Sequence, residues 1–329
     1  MNWRSLKLLA VAGIATLAAG AASAVDRITI GTNPQGTIYF TIGGGIAATL
    51  QDALGVPATV QPYTGSSAYL PLISAGEVTL GLNSSLDLAG ARAGEFGEPM
   101  DNLRVLARLW PLNVALVARA DLGLTEVSEL AGKRVVTDLS ALKAMSDVSK
   151  LMLELSGLSA SDVESVTVAG LAPGMEGLTE NALDATLVAV EIPLTQQAQA
   201  TIPGGIRYLS VEGPDATSQN ADAKLPGLYL AEIQPSPRLP EVTEPVTVAA
   251  FDVFLSVSAD MSDEDATAIL AALHDGLPQL KADYPALGPA SQEKLALPSN
   301  TVPYHPAAVE FFTSKGLWTE ENAARDAGL

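Results

Sequence analysis

Residues 31–50 read GTNPQGTIYFTIGGGIAATL, and the fold turns on what that glycine-rich stretch is. Behind it lies the β-branched run RITI, and its own second half has an amphipathic pattern. The stretch is therefore a strand exit, a loop and the first turns of a helix. Two phosphate fingerprints almost fit. Gly31 and Gly36 have the spacing of a P-loop, but Thr37 stands where a lysine must reach the phosphates. Gly43, Gly45 and Ala48 match G-x-G-x-x-A, yet those glycines must sit in the first turn after the strand, and Gly43 lies well beyond it. Nucleotide binding is set aside, no cofactor is called for, and the glycines are expected to form a helix face packed closely on a sheet.

Outward from this point, strands and helices alternate. PATVQPY is a second strand, SSAYLPLISAGE a second helix with a serine-rich cap, VTLGLN a third strand and LDLAGARAG a third helical piece. The alternation restarts with LNVALVAR, KRVVTDL, a helix through SDVSKLMLELSG, then VESVTVAG, a helix before ALDATLVAV, and IRYLSV. Between Pro203 and Pro245 proline, glycine and acids thicken into loops. A strand PVTVAAFDVFLSVSA follows, then a helix opened by Ser262 and Asp265. This is an α/β pattern with a parallel sheet.

The N-terminus MNWRSLKLLAVAGIATLAAGAASA carries Arg4 and Lys7, an apolar run and a terminal Ala22-Ser23-Ala24. That is the form of a secretory signal peptide over residues 1–24, cleaved near Ala24. The apolar run is too short and too diluted with alanine and glycine for a comfortable membrane span. The mature chain is expected in the periplasm, soluble and without a membrane anchor. About 305 of the 329 residues would remain, enough for two domains. Cysteine is absent, which excludes disulfides, thiolate metal sites, cysteine nucleophiles and a lipid-modified N-terminal cysteine. Cleavage removes two cations and no acid, taking the formal charge from −19 to −21. Such a charge opposes nucleic acid and anionic membrane surfaces. An anionic small ligand is still possible, because local backbone donors and one cation can set the field inside a cleft.

In open α/β sheets ligands bind beyond the carboxyl ends of the strands, where helix N-termini and loop amides face them. Five loops fall there, at residues 32–39, 63–69, 83–87, 138–143 and 190–193, the last of which contributes Glu191. Most of their residues are small hydroxyl or amide types, able to make directional hydrogen bonds with little bulk. The same residues also serve as ordinary caps and turns.

In GTNPQGTIYFT, TGSSAYLPL, GLNSSLD, the crossing LRVLARLWPLNVALVARADLGLTEVSELAGKRVV and the terminal YHPAAVEFFTSKGL, the chain resembles the TAXI family of extracytoplasmic solute receptors, the binding-protein components of TRAP transporters. The likeness runs in order over nearly the whole mature chain. It implies an α/β, two-lobed periplasmic binding protein fold of type II-like form, with lobe I from residues 26–114 plus 250–329 and lobe II from 115–249. Hinges are expected at residues 112–115 and 248–251. It also implies capture of a small, carboxylate-bearing organic acid or amino acid, delivery to TRAP membrane permease subunits, transport driven by an ion gradient, and no catalysis. The first-lobe contacts it implies are Thr32, Asn33, Gln35, Gly36, Tyr39, Thr64, Gly65, Ser66, Ser67, Asn83, Ser84 and Asp87. In the second lobe the family pattern G-S-G-T is replaced by Ser140, Ala141, Leu142 and Lys143. Lys143, or the backbone around Ser140, is then expected to hold the ligand's negative group. Arg92, Arg104 and Arg108 are expected on helix or strand surfaces.

Two other functions remain open. Ser140 and Lys143 have the S-x-x-K spacing of penicillin-binding proteins and serine β-lactamases, although the spacing recurs at Ser291 and Lys294 and no K-T-G strand is present. A periplasmic sensor that signals to a kinase would share the cleft. A metal site is not indicated, since His274 and His305 are the only histidines and no paired-His spacing exists. His305 is expected to cap or pack.

Overall fold

Ile28 and Ile30, two residues apart on strand β1 (Ile28–Thr32), are wholly buried in a computed structural model that describes residues 26–329. The expected signal peptide lies outside the described residues. Helix α1 (Ile38–Leu54) follows, capped by Thr37, whose hydroxyl accepts from the Phe40 amide at 3.3 Å, and ended by Gly55 in the left-handed conformation. Tyr39, Ile42, Gly43, Ile46 and Leu50 face inward at helical spacing. A Cβ on Gly43 would meet Thr32 Cγ2 of β1 at 2.7 Å, so the missing side chain sets how closely this helix lies on the sheet. Gly45 is pressed by Tyr284. The expected glycine face is present, and it serves two neighbours.

Strand β2 (Ala58–Pro62), α2 (Ser66–Ser74), β3 (Leu80–Ser84) and α3 (Ser85–Arg92) complete the first run, with β1 parallel to both β2 and β3. Next comes β4 (Leu103–Arg119), a single 17-residue strand rather than one that starts afresh at Leu112. The second run is β5 (Arg134–Leu139), α4 (Lys143–Leu155), β6 (Glu164–Val168), α5 (Leu171–Thr179), β7 (Ala185–Ala189) and α6 (Pro193–Thr201). It continues with β8 (Ile206–Tyr208), α7 (Ser218–Lys224) and β9 (Leu228–Ile233). The region expected to be loop from Pro203 to Pro245 thus contains a helix and a further strand. Thr217 caps α7 through the Asn220 amide at 3.2 Å, and β9 gains its order by pairing with β10 (Val246–Ser258). Helices α8 (Asp263–Asp283), α9 (Pro306–Ser314) and α10 (Glu320–Ala327) close the chain. Ser262 caps α8 and His305 caps α9, accepting from the Ala307 amide at 3.3 Å, as the sequence predicts.

The sheet order is β2-β1-β3-β10-β4-β7-β5-β6, with β8 on β4 and β9 on β10. Parallel pairing holds within each run, but β4 and β10 are antiparallel to each other and to their neighbours, so the sheet is mixed rather than parallel. Ala249 pairs with Val114, Ala250 with Asn113 and Phe251 with Leu112. Register slips at Val253/Phe254 and Leu255/Ser256 leave Leu109 and Leu106 as extra residues on β4. Pro111, which lacks an amide donor, is accommodated two residues from the first bulge.

Arg108 corrects a sequence expectation. It is 5% exposed, not on the surface, and donates to Asp252 Oδ1 at 2.6 Å across the β4–β10 pair. The bulged register brings a residue from the middle of an apolar strand face to face with an acid on the next strand. Among the described residues no helix is long and apolar enough to cross a membrane.

Candidate functional site

The two runs of strands deliver their carboxyl ends to one cavity of about 390 Å³. Leu112 and Val114 of β4 and Phe251 of β10 line it where the two long strands cross between the runs. Its size falls in the range of cavities that bury small organic ligands.

The first run supplies most of the polar lining. After β1, Asn33, Gln35 and Gly36 turn the chain into α1, with Gly36 at φ 90°, a left-handed conformation that costs glycine little. The Thr37 hydroxyl donates to Pro34 O at 2.7 Å and stiffens this turn. Asn33 Oδ1 is buried without a hydrogen-bond partner, although its residue lines the cavity. Tyr39, from the first turn of α1, lies edge-on against Trp110 with ring centroids 5.9 Å apart. Thr64 and Ser66 come from the turn before α2, and Asp87 from the first turn of α3.

Asp87 is 7% exposed, which makes it the group with the most at stake electrostatically. Ser84 Oγ donates to its Oδ2 at 2.7 Å, and the Asp87 amide returns a bond to Ser84 Oγ at 2.9 Å, a capping box at the start of α3. Burial raises its pKa. Hydrogen bonds from Ser84 and Ser66 pull the other way, and burial prevails. Burial first, and the charge of Asp87 second, hold the Tyr39 and Tyr69 phenols protonated well beyond neutral pH.

The second run supplies an almost wholly apolar lining. Ser140, Ala141, Leu142 and Met145 come from the β5–α4 turn, Gly170 through Pro173 from the β6–α5 turn, and Leu187, Ile192 and Leu194 from the end of β7 and the start of α6. The N-termini of α2, α4 and α5 follow Gly65, Leu142 and Gly170, none of which makes a side-chain cap. The free amide groups there can bind an oxygen-rich ligand group or water.

Of the expected contact residues, Asn33, Gln35, Gly36, Tyr39, Thr64, Ser66, Asp87 and Ser140 share this lining. The others stand behind it or beside it. Thr32 is fully buried and donates to Asn33 O at 3.1 Å. Gly65 abuts the carbonyl of Ala141, which joins the two runs at the mouth of the cavity. Ser67 follows Ser66 along α2, outside the lining. Asn83 accepts from Ser256 Oγ at 2.5 Å, and Ser84 is occupied by its cap. Glu191 holds a positive φ of 62° next to Ile192 and pairs with Arg238.

Lys143 is placed differently from its expected role. Its ammonium lies 3.1 Å from Glu95 and 3.3 Å from Asp147, its side chain is 47% exposed, and it is not part of the lining. It therefore ties the β5–α4 turn to the segment after α3. The same two carboxylates engage the ammonium that S-x-x-K chemistry would need as a free base beside Ser140. No group of three or more His, Cys, Asp or Glu that could hold a metal occurs among the described residues.

Sequence reasoning missed the β6–α5 turn and the apolar face of α6. The run VTVAGLAP carried the available signal, because Ala169 and Gly170 are small residues directly after a strand.

Residues 30–316 match the family described as NMT1-like. The chain is similar in structure to MatC (Rpa3494) from Rhodopseudomonas palustris with bound malate, at 18% identity and a TM-score of 0.57, covering 92% of this chain and 98% of that one. It is also similar to PhnD1 from Prochlorococcus marinus in complex with methylphosphonate, at 10% identity and a TM-score of 0.52, covering 89% and 99%. The alkanesulfonate-binding protein SsuA from Xanthomonas axonopodis pv. citri bound to MOPS matches at 15% identity and a TM-score of 0.50, covering 92% and 99%. At these identities the likeness establishes the fold, an α/β two-lobed binding-protein architecture with a ligand cleft.

Proposed function

The chain belongs to the NMT1-like family, and from that premise we propose that it is a periplasmic solute-binding receptor of a TRAP transporter of TAXI type. It captures a small organic acid or amino acid and delivers it to membrane permease subunits. The observation that carries this reading is the cavity of about 390 Å³ lined by strand-to-helix turns of both runs, with the crossing strands β4 and β10 between them. A solute that touches both sides favours the closed arrangement by its differential contacts, which is how such a receptor signals that it is loaded. We assign lobe I to residues 26–114 plus 250–329 and lobe II to 115–249, with hinges at residues 112–115 and 248–251. Pairing of Leu112 with Phe251 and Val114 with Ala249 supports hinges at a matched level.

The protein binds and does no chemistry. The polar residues of the lining, from Asn33 to Ser140, make the contacts, while Thr32, Asn83, Ser84 and Glu191 hold their turns. MatC, PhnD1 and SsuA are described with malate, methylphosphonate and MOPS, all acids, and that supports a polar head group for the solute here. The TAXI-like motifs and the signal-peptide form of residues 1–24 support the TRAP assignment and the periplasm.

The test begins with a thermal-shift screen of organic acids and amino acids, followed by calorimetry on the hits. Uptake of the identified solute, reconstituted with TRAP permease subunits, should follow an imposed ion gradient and be indifferent to ATP. ATP-dependent uptake would move the receptor to another transporter class. Hydrolysis of nitrocefin that disappears in Ser140→Ala would overturn the binding reading altogether.

A further inference from the structure

The lining of the cavity is lopsided in charge as well as polarity. Among the described residues it holds one charged side chain, Asp87, and no lysine, arginine or histidine. Cations near its mouth are committed elsewhere, Lys143 to Glu95 and Asp147, and Arg238 to Glu191. A carboxylate capped by Ser84 and 7% exposed thus faces an apolar cavity without a counter-charge. Buried charges in folded proteins are normally paired, because desolvation without compensation is costly. Asn33 adds a second acceptor, an oxygen buried and without a partner on the same polar side. Asn33 lacks a donor, and Asp87, whose hydrogen bonds come from the neutral Ser84 and Ser66 hydroxyls, lacks a positive partner.

We propose that the solute is an apolar molecule bearing an ammonium group, with the ammonium on Asp87 and the hydrocarbon frame against Met145, Leu171, Leu187 and Leu194. This rests on the receptor reading for the cavity and its role, and replaces the organic-acid part of the solute class given there with an ammonium-bearing one. Two kinds of molecule carry that chemistry, an apolar monoamine and an apolar amino acid. The amino acid would place its carboxylate on the uncapped amides at the start of α4 or α5. A small dicarboxylate fits poorly, because the cavity offers it no cation and surrounds most of it with hydrocarbon.

The capping box gives Asp87 a second, structural role, so the tests must separate the two. Calorimetry on the purified protein at pH 7.5 would use phenethylamine, isoamylamine, L-phenylalanine and L-leucine. The second set holds the deaminated counterparts of the amino acids, 3-phenylpropionate and 4-methylpentanoate, those of the amines with hydroxyl in place of ammonium, 2-phenylethanol and 3-methylbutan-1-ol, and succinate. At least one ammonium-bearing probe should bind, and its deaminated counterpart should bind roughly 10- to 150-fold more weakly, the range for a hydrogen bond to a charged group. Binding of the amines alone, or of the amino acids alone, supports the proposal equally and identifies the source. Asp87→Asn keeps an acceptor for the cap and removes the charge. It should weaken the ammonium probe by a similar factor while leaving the deaminated one unchanged or tighter, a pattern that loss of the cap could not produce.

A measurement on the unaltered protein guards against a variant that fails to fold. Because burial raises the pKa of Asp87, an ammonium ligand should bind more weakly as pH falls through its titration, with a proton released on binding there. The titratable groups facing Asp87 are Tyr39 on α1 and Tyr69 on α2, both far from titrating in acid. From the other packed segments, α4 brings Lys143 and Asp147, the stretch after α3 brings Glu95, which with Asp147 shares the Lys143 ammonium, and β10 brings Asp252, paired with Arg108. A carboxylate solute that needs protonated Asp87 as donor would show the opposite trend, tighter in acid. Tight binding of the deaminated acids or succinate without the amines, or acid-strengthened binding, overturns this proposal and leaves the receptor reading intact. Absence of binding by every probe and by a broad solute library overturns both.

Discussion

Replacing Gly65 by alanine should separate ligand affinity from folding more cleanly than any change in the polar lining. Gly65 precedes α2 with φ 174°, extended backbone that alanine adopts without strain. A Cβ there would fall on the carbonyl oxygen of Ala141, in the β5–α4 turn, with Ala141 C at 3.0 Å and Leu142 Cδ2 at 3.1 Å. The leucine methyl can rotate away. The carbonyl cannot, because its turn is tied to the next strand by the Ala141 amide, which donates to Ala169 O at 3.2 Å. The two turns must therefore part, and with them the two sides of the cavity. Overpacking of this kind costs about 1–3 kcal/mol. Charged only to the closed arrangement, that cost lowers apparent affinity by about 5- to 150-fold. Calorimetry with the identified solute reads the loss. Thermal unfolding of the ligand-free variant should match wild type to within about 0.5 kcal/mol, the usual bound for a change that touches no core contact. Undiminished affinity in Gly65→Ala would refute the idea that the Gly65–Ala141 approach belongs to the bound state.

Asp252→Ala should destabilise the protein by about 3–5 kcal/mol in denaturant titration, because it leaves Arg108 buried without its partner, with Nε and Nη1 already unpaired. Lys143→Ala should change affinity by less than a few-fold in calorimetry, since its ion pairs are largely exposed and worth about 0–1 kcal/mol. Hydrogen bonds from Arg134 hold the Asp184 carboxyl below its usual pKa, so the stability it contributes is complete above the ordinary carboxylate value and lost as pH falls through the lowered one. Thermal midpoints followed below about pH 4 should therefore fall more steeply for wild type than for Asp184→Asn, by an amount reduced by the partial exposure of the pair.

Local periodicity and cap chemistry made most of the elements legible. The glycine face of α1, the caps at Ser262 and His305 and both runs of alternating strands and helices could be read because each depends on residues close in sequence. The sense of β4 and β10 could not be read this way. An antiparallel crossing strand is as β-branched and apolar as a parallel one, and what distinguishes them is the partner, more than 130 residues away in the Arg108–Asp252 pair. The same limit hid the burial of Arg108. An arginine in LRVLARLW looks like a surface residue until a bulge turns it toward an acid from another part of the chain.

The two sides of the cavity differed in legibility for a reason that bears on function. Asn33, Gln35, Thr64, Ser66 and Asp87 stood out because small polar residues directly after strands have few alternative roles, caps being the main one. Leu171, Leu187 and Leu194 did not, because an apolar residue lining a cavity and one facing a packed core give the same sequence pattern. In a chain of formal charge near −21 an anionic solute needs a local cation, and Lys143 stands at a strand-to-helix turn beside the predicted cleft, so the sequence points to it at the ligand. The structure gives Lys143 to Glu95 and puts hydrocarbon in its place. The proposed solute satisfies Asp87 at one end and displaces water from leucine side chains at the other. A fully polar acid would do neither, and an ammonium on an apolar frame does both.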